Sequence, residues 1–177
     1  FENQVVVDLG AGQKSYGYQI AKILGAKSYV AVEPFFADDL AKSLESREND
    51  TLGLLDLVLG VSTFLGQHYR VLHREWSRPE IPKSIVPEGM LGFLKRVPDN
   101  SVSIICSGID KTILKVEGDI ARVAREIARV VHKDGTLLKS GSDVDAPPPL
   151  KWVLGSSDFE DFKDYRSSDR SALYIRD

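Results

Sequence analysis

The stretch that decides the fold is Val5-Val6-Val7-Asp8-Leu9-Gly10-Ala11-Gly12, near the start of a chain of 177 residues. Three β-branched residues followed by an acid and two glycines predict a buried strand that runs into a tight turn. Apolar side chains at helical spacing over residues 16–24 predict a helix after the turn. Residues 29–32 predict a second strand, which ends at Glu33 and Pro34. The sequence therefore opens with a βαβ unit.

The spacing within this unit indicates a nucleoside-bearing cofactor. Gly10 and Gly12 allow a ligand to approach the backbone, and Glu33, about twenty residues further on, is placed to bind ribose hydroxyls. Such turns serve NAD, FAD and S-adenosylmethionine alike. The dinucleotide fingerprint requires a third glycine where this chain has Ser15, and Asp8 suits the cationic amino end of an amino-acid cofactor, directly or through water, better than a pyrophosphate.

These residues resemble the first motif of the class I S-adenosylmethionine-dependent methyltransferases, D/E-x-G-x-G-x-G. The match is Asp8-Leu9-Gly10-Ala11-Gly12-Gln13-Lys14, with Lys14 in place of the third glycine. Residues 98–106 are similar to the family's fourth strand, and residues 126–138 to its fourth helix and fifth strand. The resemblance implies an α/β, Rossmann-like three-layer sandwich whose mostly parallel sheet has an antiparallel last strand, for which residues 159–166 and 171–175 predict the terminal hairpin.

The resemblance also implies a site for S-adenosylmethionine, with S-adenosylhomocysteine as the product. It places Asp8 at the methionine amino group and Glu33 at the ribose. The predicted cofactor-binding residues, which follow the first four strands, are Asp8, Leu9, Gly10, Ala11, Gly12, Lys14, Glu33, Pro34, Glu88, Gly89, Met90, Cys106 and Ser107.

The turn after the third predicted strand, residues 84–86, departs from the family's pattern. The family has a Gly-Asp pair there, whereas in this chain Glu88 comes one position early and Met90 follows Gly89. We therefore expect backbone groups to bind the adenine edge while Met90 packs on the ring. Met90 fits a core position equally well.

The acceptor is expected beyond the fourth strand, at residues 106–110. This segment lacks the N/D-P-P-Y/F/W motif of enzymes that methylate base amines, so a small molecule or a protein is the expected acceptor. Asp110 is the candidate for orienting or deprotonating it, although a helix-capping role is the alternative. A non-catalytic cofactor-binding or regulatory module and a nicotinamide-dependent enzyme of related fold remain as alternative functions.

Length and composition predict a single domain over residues 1–177. The net charge of −3 gives no general signature for polyanion binding, and the one cysteine excludes an internal disulfide. No stretch approaches the roughly eighteen apolar residues of a membrane span, so we expect a cytoplasmic protein with no membrane partner. Because the chain begins at Phe1 rather than Met, we expect residues upstream of it.

An insertion or lid is predicted at about residues 51–87, since this connection is longer than the fold requires. Residues 66–96 hold six Lys or Arg against three Glu and could contact RNA, but a solvated basic surface is favoured. His68 and His73 are five residues apart and no carboxylate completes a ligand set, so no metal site is expected.

The remaining predicted elements are helices at residues 38–48, 92–97, 118–131 and 150–154, and strands at residues 102–106 and 136–139.

Overall fold

The computed structural model describes residues 1–13, 15–46, 79–106, 120–140, 161–167 and 171–177. The strands are β1 Val5–Leu9, β2 Ser28–Val32, β3 Lys83–Val86, β4 Ser103–Cys106, β5 Thr136–Ser140, β6 Phe162–Ser167 and β7 Ser171–Arg176. The helices are α1 Tyr16–Ile23, α2 Ala37–Glu45, α3 Met90–Leu94 and α4 Ile120–Val130. The predicted helix at residues 150–154 and most of the predicted insertion lie outside the described residues.

The strands form one seven-stranded sheet in the order β3-β2-β1-β4-β5-β7-β6. Strands β1 to β5 pair in parallel, whereas β7 is antiparallel to both β5 and β6. The predicted mostly parallel sheet with an antiparallel last strand is confirmed. Since β2 lies on one side of β1 and β4 on the other, the chain changes direction across the sheet at β1, and open α/β sheets bind ligands at such a point.

Alternating side chains of β1 face two hydrophobic layers, as expected for a central strand covered on both faces. Val6 faces the layer that contains α1 and α2, and Val7 and Leu9 face the layer that contains α3 and α4. The first layer includes the buried residues Tyr18, Ile20, Ala21, Tyr29, Ala31, Leu40, Leu44, Ile105 and Leu138. The second includes Val32, Met90, Leu94, Ile104, Cys106, Val123, Ala124, Ile127, Ala128, Val130 and Leu137. The predicted αβα sandwich is therefore present.

Helix α3 begins two residues earlier than the sequence predicted. Gly89 takes the N-cap position in an extended conformation (φ −68°, ψ 147°), so the helix starts at Met90 and buries both Met90 and Leu94, which are four residues apart. After Leu94 the chain tightens, because the amides of Arg96 and Val97 donate to carbonyls three residues back. The helix therefore ends before the predicted residue 97.

Tyr18, on α1, is held at the edge of the sheet opposite the carboxyl ends of the parallel strands. Its hydroxyl donates to the Glu80 carboxylate, which also contacts the Lys22 ammonium at 2.5 Å. The Lys83 ammonium lies 4.8 Å from the centre of the Tyr18 ring and donates to the Leu44 carbonyl at 2.7 Å. These contacts fasten the segment before β3 to α1 and α2.

Candidate functional site

The glycine turn after β1 lies at the carboxyl end of the sheet. Leu9 is fully buried and is paired with Val32 on one side and with Cys106 on the other. The Gly10 amide donates to the Val32 carbonyl at 2.9 Å, so the turn is tied to the end of β2. Gly10 and Gly12 have φ angles of +69° and +70°, a left-handed conformation that glycine adopts most easily. The two glycines are therefore required by the backbone.

Glu33 connects this turn to the start of α2. Its carboxylate is 2% exposed, and Oε2 accepts a hydrogen bond from the Gly12 amide at 2.7 Å. Its Oε1 accepts from the amides of Phe35 and Phe36 at 2.9 and 3.3 Å. Helix α2 has no side-chain cap of its own at Phe36, so Glu33 satisfies amides that precede its first turn. The acid predicted to bind ribose thus also orders the backbone on both sides of it.

The Cβ side of Gly12 is open among the described residues. An ideal Cβ built on Gly12 would meet no atom of the described residues within 4 Å, the Glu33 carboxylate included. The Gly12 amide thus donates to Glu33 on one side, while the other side of the same residue leaves room beside the turn. In the part of the chain that the structure describes, Oε2 of Glu33 accepts one backbone bond and Oε1 accepts two, and a carboxylate offers about four acceptor positions.

Asp8 is fully buried in the layer beneath α1. The Tyr29 hydroxyl donates to its Oδ2 at 2.8 Å, and a Cβ built on Gly17 would lie only 1.7 Å from the same oxygen. Burial, reinforced by the charge of Asp8 and by this hydrogen bond, raises the pKa of Tyr29 well above its usual value. The phenol therefore remains a donor at physiological pH. The predicted interaction of Asp8 with a methionine amino group stays a prediction.

Sequence reasoning missed Gly17 and Tyr29, which both lie against Asp8, although both leave a signal. A glycine inside a helix costs about 1 kcal/mol relative to alanine, so Gly17 could have indicated a close approach to another part of the chain. A buried tyrosine needs a partner for its hydroxyl, and Tyr29 lies at the buried start of β2. The identity of the partner depends on the strand register, which the sequence alone does not supply.

The turn after β3 places the predicted adenine residues in two environments. Oε2 of Glu88 accepts a hydrogen bond from Nη1 of Arg96 at 2.9 Å, so the Glu88 carboxylate is paired with the end of α3. Met90 is 1% exposed and packs in the core with Leu9 and Val32, which agrees with the core alternative for this residue. Gly89 caps α3. The packing of Met90 on an adenine ring stays a prediction.

Some of the other predicted site residues lie in the described part of the chain, and some lie outside it. Cys106 is buried at the end of β4, Ala11 is 7% exposed in the turn, and Pro34 is half-buried after Glu33. Lys14, Ser107 and Asp110 lie outside the described residues, so their predicted roles stay predictions. The structure therefore brings the ends of β1, β2 and β4 together but does not describe the acceptor side of the site.

Two neighbouring phenylalanines are exposed at this edge of the molecule. Phe35 and Phe36 are 55% and 42% exposed, and their ring centres lie 6.5 Å apart in an edge-to-face arrangement. They are the exposed large hydrophobic side chains among the described residues. Since Glu33 binds the amides of both, their backbone is fixed while their rings face outward. Such an arrangement can bind a planar apolar group.

The basic stretch at residues 66–96 is described only from residue 79 onward. In that part Arg96 pairs with Glu88, and Lys83 lies 4.0 Å from the Glu80 carboxylate. Within the described ranges, no three His, Cys, Asp or Glu side chains are grouped so as to hold a metal ion. No helix in the same ranges is long and apolar enough to cross a membrane.

Comparison of the sequence with protein-family models and with curated proteins finds no match. Comparison of the structure with solved structures does find matches. The chain has the fold of the class I S-adenosylmethionine-dependent methyltransferases, and this confirms the resemblance at the level of the fold.

Three of the matching structures illustrate the likeness. A SAM-dependent methyltransferase from Aquifex aeolicus is 16% identical, with a TM-score of 0.52, over 99% of this chain and 82% of that one. The magnesium protoporphyrin IX methyltransferase of Synechocystis, solved with bound SAM, is 13% identical with a TM-score of 0.53, and the match covers 99% of this chain and 71% of that one. An rRNA methylase from Streptococcus thermophilus is 12% identical with a TM-score of 0.51, and the match covers 99% of this chain and 87% of that one.

Proposed function

We propose that this protein is an S-adenosylmethionine-dependent methyltransferase that transfers the sulfonium methyl group directly to its acceptor. The observation that carries the proposal is the position of Glu33. Its buried carboxylate lies at the carboxyl end of β2 and accepts a hydrogen bond from the Gly12 amide across the glycine turn, next to a side of Gly12 that meets no described atom. A carboxylate offers about four acceptor positions, so we place the ribose hydroxyls of a cofactor that enters beside Gly12 at Glu33.

The residues around Glu33 fit the rest of a nucleoside as well. Gly12 carries no side chain that would obstruct the sugar, and the exposed rings of Phe35 and Phe36 offer an apolar surface for a purine. On the other side of the turn, Asp8 supplies a negative charge beneath the N-terminal turn of α1. We place the amino-acid end of the cofactor on this side.

The chemistry requires little from the protein beyond alignment. When bound, S-adenosylmethionine supplies an electrophilic methyl group attached to a sulfonium. The chain's own task is to orient the cofactor and exclude water, and orientation contributes roughly 7–11 kcal/mol of barrier lowering in well-aligned reactions. A general base is needed only for an acceptor that holds its proton tightly, and Asp110 is the candidate for that role.

We propose a small molecule or a protein as the acceptor. Residues 106–110 lack the motif by which base amines are methylated, which argues against a nucleobase. The fold itself does not select the acceptor, because the similar structures include an enzyme named for rRNA and one named for magnesium protoporphyrin IX. The protein is proposed to act in the cytoplasm.

A non-catalytic module that binds the cofactor is the second candidate. The observation that favours it is the turn after β3, where Glu88 is paired with Arg96 and Met90 is buried in the core. The nicotinamide alternative is less well supported, because the antiparallel β7 between β5 and β6 is not the pattern of an ordinary dinucleotide-binding sheet.

Calorimetric titration with S-adenosylmethionine, S-adenosylhomocysteine and NAD tests the cofactor. We expect the first two to bind and NAD not to bind, and the reverse result would contradict the proposal. Incubation of the protein with labelled S-adenosylmethionine and a cell extract then tests transfer. A labelled small molecule or protein supports the enzyme, whereas binding without transfer supports the non-catalytic module.

A further inference from the structure

A buried hydrogen bond between side chains joins β1 and β2 beneath α1. The Tyr29 hydroxyl donates to Asp8 Oδ2 at 2.8 Å, and the two residues are 1% and 0% exposed. The register pairs Tyr29 with Val6 and Asp8 with Ala31, so Tyr29 reaches Asp8 diagonally across the strand pair. Burying a carboxylate in an apolar layer costs free energy unless the carboxylate accepts hydrogen bonds. The bond from Tyr29 therefore stabilises the Asp8 side chain in this position.

Helix α1 lies directly on this pair. A Cβ built on Gly17 would be 1.7 Å from Asp8 Oδ2 and 3.0 Å from the Tyr29 hydroxyl oxygen, so only glycine permits the approach. The first turn of α1 contains no acidic residue, and Ser15 at its N-cap makes no side-chain capping bond. Asp8 therefore supplies a negative charge to the N-terminal end of α1 from a neighbouring strand, which favours the helix dipole.

We propose that Tyr29 is a positioning residue for the amino-acid end of the cofactor, an inference that rests on the proposed function. Its hydroxyl holds the Asp8 carboxylate under the first turn of α1. The carboxylate is thereby kept at the first turn of α1, where we place the amino-acid end of the cofactor. The ribose is placed at Glu33, whose hydrogen bonds are to the amides of Gly12, Phe35 and Phe36 and do not involve Tyr29. Loss of the Tyr29 hydroxyl should therefore weaken binding of the amino-acid end and spare the nucleoside end.

Two probes separate the two ends of the cofactor. S-adenosylhomocysteine carries the amino acid, whereas 5′-methylthioadenosine keeps the nucleoside and the sulfur but lacks the amino acid. For Tyr29→Phe we expect the affinity for S-adenosylhomocysteine to fall about 3- to 10-fold, because the Asp8 side chain must then be ordered when the ligand binds. We expect the affinity for 5′-methylthioadenosine to change by less than about twofold. Both are measured by calorimetric titration of the full chain.

Tyr18→Phe is the matched control. Tyr18 is also a buried tyrosine, and its ring contacts that of Tyr29 with centres 5.6 Å apart, but its hydroxyl bonds to Glu80 at the other edge of the sheet. Both substitutions should lower the free energy of unfolding, since each removes the hydrogen bond of a tyrosine hydroxyl. Only Tyr29→Phe should change the ratio of the two affinities, because a purely structural effect would act alike in both variants.

The possible results separate the two proposals. If the wild-type protein binds neither compound, the proposed function fails and the role of Tyr29 fails with it. If the wild type binds both and Tyr29→Phe leaves their affinity ratio unchanged, or weakens both equally, only the positioning role is overturned. Should Tyr29→Phe not fold, the structure of the wild-type complex with S-adenosylhomocysteine gives the decision. An amino group that contacts the Asp8 carboxylate directly or through one water, with the bond from Tyr29 kept, supports the positioning role. An amino group bound away from Asp8, with the ribose at Glu33, overturns that role alone.

Discussion

Glu33 combines a structural and a proposed binding role in one carboxylate. Three backbone amides donate to it, from Gly12 on one side and from Phe35 and Phe36 on the other. An acid in this position keeps the glycine turn and the start of α2 in place before any ligand binds, which lowers the ordering cost of binding. Substitution of Glu33 should therefore affect both stability and affinity.

For Glu33→Ala we expect the free energy of unfolding to fall by about 2–4 kcal/mol, because three amides lose their acceptor. The affinity for S-adenosylhomocysteine should fall at least about tenfold, since the ribose also loses its acceptor. Urea unfolding and calorimetry at a temperature where the variant is folded measure the two effects. Unchanged affinity in a folded variant would contradict the ribose assignment.

A substitution at Gly12 separates the effect of backbone strain on stability from the effect of an added side chain on ligand binding. Gly12→Ala should lower the free energy of unfolding by about 1–2 kcal/mol, because its φ of +70° disfavours a side chain, although a Cβ there meets no described atom. Gly25→Ala is the control, since Gly25 has a φ of +77° but follows α1 at the opposite edge of the sheet. We expect similar destabilisation in both variants and a large loss of S-adenosylhomocysteine affinity in Gly12→Ala alone. If Gly12→Ala and Gly25→Ala bind S-adenosylhomocysteine with equal affinity, the ligand does not lie against Gly12.

The sequence predicted the glycines and Glu33 of this site but not the contacts of Asp8. Gly10, Gly12 and Glu33 follow from local rules, because a left-handed turn after a strand and an acid after the next strand are visible in the spacing. The bond between Tyr29 and Asp8 depends instead on the register of β1 against β2. Pairing between strands is a long-range property, so spacing along the chain does not reveal it.

The segment between β2 and α2 presents the exposed aromatic pair of Phe35 and Phe36. Glu33 holds their backbone amides, and both rings are exposed beside the glycine turn and are not part of the core. A segment of this kind contributes little to folding and can contribute much to binding, since a base that stacks on an aromatic ring gains roughly 1–3 kcal/mol.

Replacement of both phenylalanines tests this segment. For the double variant Phe35→Ala/Phe36→Ala we expect the free energy of unfolding to fall by no more than about 2 kcal/mol, because only about half of each residue is buried. The affinity for S-adenosylhomocysteine should fall about 5- to 100-fold by calorimetry. The double variant with tyrosine at both positions keeps the rings and should keep the affinity. An alanine variant that binds like the wild type would exclude the pair from the site.

Helix α1 and the segment before β3 are joined at the opposite edge by Tyr18 and Glu80. Burial and the hydrogen bond to Glu80 raise the pKa of Tyr18 to about 12. A pKa that folding raises above its unfolded value of 10.0 contributes stability that is present below pH 10 and is lost as the pH rises towards 12. The phenol of Tyr18 must therefore be protonated for this junction to hold.

The dependence of stability on pH tests that junction. Urea unfolding between pH 9 and pH 12 should show stability falling with rising pH in the wild type, since the unfolded state releases the Tyr18 proton first. Tyr18→Phe should show a smaller fall over the same range, because it has no phenol to ionise at this position. If the two profiles are parallel, the Tyr18 hydroxyl does not make this contact in solution.

The two ends of the strands in the sheet carry different kinds of residues. At the edge opposite the glycine turn, Arg176 of β7 donates to the carbonyls of Ala128 and Val131 at 2.8 and 2.7 Å, which ties the last strand to the end of α4. At the carboxyl edge the strand ends instead carry glycines, a buried acid and exposed aromatic rings. The contacts of Arg176 thus join a strand to a helix on the side of the sheet away from the glycine turn.

Much of this architecture was predictable because its signals are repeated along the chain. The strongly amphipathic pattern of α4 and the apolar runs of β1 and β4 predicted both layers, and the terminal hairpin predicted the antiparallel β7. Helix ends were less predictable: α2 ends at Glu45 and not at residue 48, and α3 begins at Met90. Ends depend on caps and tertiary contacts, which leave weaker signals than periodicity does.

The structure of the complex with S-adenosylhomocysteine decides whether the glycine turn is the cofactor site. We expect the nucleoside at this turn, with a ribose hydroxyl within about 3 Å of the Glu33 carboxylate and the amino acid on the Asp8 side. A nucleoside bound elsewhere, or no ligand beside Gly12 at saturating concentration, would contradict the proposed site.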